Sequence, residues 1–109
     1  MDQQHRGRTV VVVVDTLVPP HVGAHAQAVV REAVSNAVRH GNPRSVTLTV
    51  EAGDEMLVEV VDDGVGIPPG VARSGLRNLE DRARECGGEL AVGRGPSSGT
   101  RLSWRVPLG

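Results

Sequence analysis

The sequence predicts an α/β protein, a two-layer sandwich with a mixed sheet on one side and helices layered on the other. Three observations carry this. The apolar patterns follow the order β-α-β-β-loop-α-β-β, two pairs of strands are spaced as hairpins, and one long helix has a continuous apolar side. Hairpins supply antiparallel pairs, and a strand–helix–strand unit supplies a crossover, so the sheet is mixed with its helices on one face.

Each element has a local reason. Thr9 to Asp15 is a β-branched run and reads as a strand after a polar lead-in at Met1–Arg8. Pro19-Pro20 breaks it and opens a helix over about Pro20–His40, stopped by Gly41-Asn42-Pro43. Val46, Leu48 and Val50 alternate with Thr47, Thr49 and Glu51 as a half-buried strand, Gly53-Asp54 turns the chain, and Met56 to Val61 returns. Asp62 to Arg73 holds three Gly and two Pro and reads as a loop. A second helix is expected over Ser74–Cys86, with Ser74 as N-cap and Gly87-Gly88 as stop. Glu89–Gly93 is a short strand and Gly95–Gly99 a turn. In the last strand, Thr100, Leu102, Trp104 and Val106 form the apolar side.

The 109 residues suit a single domain, with no internal repeat and no low-complexity linker. A net charge of −1 offers no general attraction to nucleic acid or to an anionic membrane surface. Trp104 is the only aromatic residue, so no base-stacking platform exists. All twelve basic residues are Arg, which excludes a Walker A loop and Schiff-base chemistry on Lys. Cys86 stands alone, so no internal disulfide forms and the expected compartment is the cytoplasm. The run Val10–Val14 is too short to span a bilayer.

The long helix is the most informative segment. At about 100° per residue, Val30, Ala33, Val34, Ala37 and Val38 form one apolar face. Glu32, Asn36 and His40 lie four apart and stack along an edge of it, where a ligand in a cleft beside the core would meet them. A neutral amide at Asn36 suits a hard cation shared with phosphates, Glu32 suits orientation or deprotonation of an attacking group, and Arg39 and His40 suit phosphate oxygens. A solvated helix flank would show the same spacing. Further on, Val58, Val60 and Asp62 share one side of a strand, so Asp62 is a carboxylate among apolar residues and needs a donor such as an adenine amino group. Gly64 and Gly66 let the backbone approach a flat ring, Gly75 opens the second helix where free N–H groups meet phosphate, and the Thr100 hydroxyl is placed to bond a base edge or Asp62. Each of these also fits an ordinary turn. All four in this order do not arise easily by chance.

In combination the segments resemble the ATP-binding domain of sensor histidine kinases. Arg31–His40 resembles the N box, and Val61–Pro68 the G1 box. Ser74-Gly75-Leu76-Arg77-Asn78-Leu79 with Arg82-Ala83 and Gly87-Gly88 resembles the G2 region, and Gly99-Thr100 the terminal G-T motif. The resemblance runs from about Asp15 to Leu108 and is nearest to the NarL-type kinases, which have a short lid, here about residues 67–74. It implies the Bergerat (GHKL) fold, with ATP and Mg²⁺ as cofactors. It also implies that Glu32 assists phosphoryl transfer, that Asn36 binds Mg²⁺, that Arg39 and His40 contact phosphates, and that Asp62 reads adenine. Arg73, Ser74, Gly75 and Leu76 would line the lid side. Implied partners are a dimerisation and phosphoacceptor domain of the same kinase and, through it, a response regulator.

Two departures stand out. Arg73 occupies the place of the usual first lid glycine. The four histidines, His5, His21, His25 and His40, are followed by Arg, Val, Ala and Gly, so none has the acidic neighbour of the family's phosphoacceptor. The alternatives are an anti-sigma-factor-type serine kinase of the same fold and a nucleotide-binding regulatory module without transfer activity.

Overall fold

The structure, a computed structural model, describes residues 7–14, 16–41, 43, 45–65, 73–96 and 98–108, without the side chains of 7–9, 40, 41 and 73–75. The elements are β1 (Gly7–Val14), α1 (Pro20–Gly41), β2 (Ser45–Ala52), β3 (Glu55–Asp62), α2 (Arg73–Glu85), β4 (Glu89–Arg94) and β5 (Thr100–Pro107). The order matches the expected one. The five strands form a single sheet in the order β1-β2-β3-β5-β4. β1 and β2, joined through α1, are parallel, and every other pair is antiparallel.

The core is the layer between sheet and helices. Met56, Val58 and Val60 of β3 and Leu102, Trp104 and Val106 of β5 are buried against Val22, Ala26, Val29 and Ala33 of α1 and Leu79 and Ala83 of α2. Val58, Trp104 and Val106 are fully enclosed, which follows from the period-2 alternation of the two central strands. Trp104 is the largest of these enclosed side chains. Trp104→Ala is expected to destabilise the fold by about 3–5 kcal/mol, read as a lowered denaturant midpoint at unchanged slope.

Several expectations shift. β1 begins at Gly7, so the lead-in is shorter than Met1–Arg8. α2 begins at Arg73, which places Ser74 inside the first turn rather than at the N-cap. The lid expected at 67–74 therefore gives its last two residues to α2, and residues 66–72, including Gly66, lie outside the described residues. The buried face of α1 is also rotated from the expected one. It runs through Val22, Ala26, Val29, Ala33, Asn36 and Ala37, while Val30 and Val34 are partly buried and Val38 is 49% exposed. Val22 and Val29 share this face with three alanines, and the other three valines of the helix lie on the outer flank. Among the described residues neither helix contacts β1, and Val10–Val14 stay exposed at the sheet edge.

The stop after α2 matches expectation. Gly87 has φ +78°, Gly88 N–H bonds Ala83 C=O at 2.8 Å, and Gly87 N–H bonds Arg84 C=O at 3.0 Å, the paired bonds of a Schellman motif. A side chain at Gly88 would strike the backbone of Arg105 and Val106, so the turn lies directly on β5. Cys86 in this turn is half-buried, and burial, followed by the charge of Glu85, pushes its thiol up. It is a packed thiol and a poor nucleophile at neutral pH.

Candidate functional site

The topology brings three element ends together. Only residues 42–44 separate α1 from β2, so the C-terminal end of α1 sits at the start of β2. In the antiparallel register Val46 lies opposite Asp62, which places the end of β3 at that same edge. β5 starts there too, because Val61 pairs with Arg101. α2 ends beside the start of β4 at the opposite edge, so its N-terminus also points to the Asp62 end, where its first N–H groups lack helical partners.

At this end lie the buried polar side chains of the described residues: Asn36, Asp62 and Thr100. Asp62 is 4% exposed and shares its side of β3 with Val58 and Val60, as expected. Its Oδ1 accepts the Gly64 N–H at 2.9 Å, and the carboxylate also takes the backbone N–H of Thr100. The Thr100 contact thus comes from the main chain. Burial pushes the Asp62 carboxyl up, these two N–H donors pull it down, and the charge of Asp63 pushes it up slightly. Thr100 is 6% exposed and Gly64 is buried beside them.

Asp63 does a different job from its neighbour. Its carboxylate accepts the Ser45 N–H at 2.9 Å and the Ser45 hydroxyl at 3.2 Å, and its backbone carbonyl accepts the Ser98 hydroxyl at 2.9 Å. It ties the start of β2 and the β4–β5 turn to the end of β3, leaving Asp62 to face inward. Gly99 completes the frame. With φ +76°, its α-carbon lies against the Asp62 carbonyl, Asp62 Oδ1 and the Gly64 nitrogen, so no Cβ fits there. Gly99→Ala is expected to lose about 1–3 kcal/mol from the left-handed backbone alone and to displace Asp62 as well. The check is a lower melting temperature together with weakened nucleotide binding.

Asn36 is 5% exposed, and among the described residues its Nδ2 has no partner. A buried amide nitrogen without a bond costs about 1–3 kcal/mol, and Trp104 Nε1 in the core shares that state. One turn earlier, Glu32 is half-buried. Arg39 is exposed, its guanidinium bonded to Ser35 Oγ at 3.1 Å. The His40 side chain lies outside the described residues, as do those of Arg73, Ser74 and Gly75, whose backbones form the first turn of α2. Leu76 is partly buried against the core.

Glu32 and Arg39 open into a groove of about 420 Å³ between the helices, shared with Arg31 and Ser35 of α1 and Asn78 and Arg82 of α2. Sequence reasoning passed over these last four. Arg31, Ser35 and Arg39 lie four apart, a spacing visible in the sequence, whereas Asn78 and Arg82 enter only through the pairing of the helices. Three guanidiniums against one carboxylate give the groove a net positive charge. Among the described residues no group of three or more His, Cys, Asp and Glu is placed to hold a metal ion.

Residues 21–109 match the family of histidine kinase-, DNA gyrase B- and HSP90-like ATPases. The chain belongs to this ATPase family. Similar proteins include the nitrate/nitrite sensor protein NarX of Escherichia coli, 37% identical over 90 residues that cover 79% of this chain and 15% of NarX. Another is the sensor protein VraS of Staphylococcus aureus, 34% identical over 98 residues, covering 86% of this chain and 28% of VraS. The chain thus spans well under a third of the length of either relative. Among solved structures, the ATP binding domain of PrrB from Mycobacterium tuberculosis superposes with TM-score 0.67 at 25% identity, covering 92% of this chain and 81% of that one. The Erythrobacter litoralis EL346 blue-light activated histidine kinase gives TM-score 0.72 at 28% identity, over 94% of this chain and 38% of that one. The fold is the ATP-binding sandwich of this ATPase family, and ATP is the substrate that membership supports.

Proposed function

We propose that the chain is the catalytic ATP-binding domain of a NarL-type two-component sensor histidine kinase, and that it passes the γ-phosphoryl group of ATP to a His on a dimerisation segment of the parent. The single observation behind this reading is that the buried polar side chains of the described residues, Asn36, Asp62 and Thr100, gather at one end of the helix–sheet layer beside an Arg-rich groove.

Asp62, already holding two backbone N–H groups on one side, accepts the adenine amino group on the other. That choice distinguishes adenine from guanine, whose ring presents a carbonyl at the corresponding edge. The N-terminus of α2 and Arg39, with His40, receive the phosphates. Asn36 would hold Mg²⁺ through its amide oxygen, a neutral hard donor that does not repel the phosphates. Mg²⁺, when bound, draws charge from the β- and γ-phosphate oxygens. Glu32, one turn from Asn36, holds the attacking imidazole in line and takes its proton. The relevant compartment is the cytoplasm, and the phosphorylated parent in turn serves a response regulator.

None of the four histidines has an acidic neighbour on its C-terminal side. The isolated chain is therefore expected to bind ATP without labelling itself. With γ-labelled ATP and the parent's dimerisation segment added in trans, acid-labile, base-stable phosphate is expected on a His of that segment. Label on Ser would instead indicate a serine kinase of the same fold, and absence of label a regulatory nucleotide-binding module.

A further inference from the structure

We propose that Ser98 is a positioning residue for base recognition. Its hydroxyl ties the β4–β5 turn to the end of β3, so that Gly99 and the Thr100 N–H hold the Asp62 carboxylate in the orientation that accepts adenine. The proposal rests on the ATP reading above and adds a residue outside the N, G1, G2 and G-T segments.

The sheet alone does not fasten this end. The β3–β5 register stops at Val61 opposite Arg101, and Asp62 and Asp63 run past it. Beyond that point a side chain makes the connection: Ser98 Oγ donates to the Asp63 carbonyl at 2.9 Å, across 35 positions of sequence. The acceptor is itself anchored from the other side. Asp63 N–H meets the Ser45 carbonyl at 3.4 Å, and the Asp63 carboxylate takes the Ser45 N–H and hydroxyl. On the turn, Gly95 N–H bonds the Gly99 carbonyl at 3.2 Å. Ser98 thus joins a closed turn to an anchored strand end.

Asp62 is sensitive to where this turn sits. Two residues after Ser98, Thr100 supplies one of the two N–H groups on the carboxylate, and Gly64 supplies the other. Between Ser98 and Thr100, Gly99 packs so closely on Asp62 Oδ1 and the Gly64 nitrogen that a Cβ has no room. A turn that lifts away from β3 withdraws the Thr100 donor. A turn that slides along β3 drives Gly99 into the carboxylate. Hydrogen bonds weaken steeply as they bend, so a small rotation of the carboxylate misdirects the oxygen meant for the base. An ordinary surface tie would also hold a turn in place. Ser98 differs because the segment it ties carries both residues that touch Asp62 from the β5 side. Ser98 itself is exposed and packs into no core, so its replacement tests the tie without opening a cavity.

The test is calorimetric titration of the 109-residue chain with ATP and with GTP, each with Mg²⁺. Ser98→Ala is expected to weaken ATP about threefold to tenfold, the scale of one net hydrogen bond, and to leave GTP unchanged. The preference for ATP falls by the same factor. Ser98→Thr keeps the hydroxyl and should keep the preference of the parent. In an Asp62→Asn background, Ser98→Ala should add no further loss, because the serine acts through that carboxylate. Equal weakening of both nucleotides, an unchanged preference in Ser98→Ala, a Thr variant as weak as the Ala variant, or a further loss on top of Asp62→Asn would overturn the proposal with the ATP reading intact. An unaltered chain that binds neither nucleotide, or both equally, would overturn both.

Discussion

Asp62→Asn is expected to destroy selection for adenine while making the empty protein more stable. The carboxylate oxygen that would accept the adenine amino group is replaced by an amide that must share its two ends between N–H donors and ligand. The loss is about 1–3 kcal/mol, or roughly fivefold to a hundredfold in affinity. The stability effect has the opposite sign. Burial raises the folded-state pKa of Asp62 above its ordinary value of 3.8, so the folded protein holds this proton more tightly than the unfolded chain. Its contribution opposes folding above the folded-state pKa, and the penalty fades as pH falls through the window down to 3.8. Asparagine carries no such penalty. Melting curves should show the variant ahead of the parent at neutral pH, with the difference shrinking as pH falls toward 3.8.

Asn36→Ala has the larger effect on chemistry. In the presence of the dimerisation segment, phosphoryl transfer is expected to fall on the order of a hundredfold or more, the scale of losing one prepositioned transition-state contact. The fold should not suffer. Among the described residues Asn36 Nδ2 is buried without a partner, and alanine both removes that orphan and favours the helix. A variant that melts at or above the parent temperature yet transfers little would show that Asn36 serves a ligand. Unchanged transfer would mean that the amide is structural.

The strands were legible because period-2 alternation is local: Val58, Val60 and Asp62, and Thr100 to Val106, could be placed on one side without knowing their partners. Asp62 and Thr100 were legible for the same reason, since their spacing alone placed a polar group on an apolar side. The face of α1 was not. Ala26, Val29, Ala33, Asn36 and Ala37 form the buried stripe, while counting apolar bulk favours the side with Val30, Val34 and Val38. Apolar periodicity fits both faces, and packing against β2, β3 and β5 decides which one is buried. The distinct role of Asp63, the contact of Gly99 with Asp62, and the Ser98–Asp63 bond depend on segments that meet only after folding.

The central claim is that the enclosed polar end of this sandwich binds an adenine nucleotide through Asp62. Titration of the chain with ATP and with GTP, each with Mg²⁺, tests it most directly. Binding of ATP with GTP weaker by tenfold or more is the result predicted from a carboxylate facing the base. Equal affinity for the two nucleotides, or heat from neither, would contradict it.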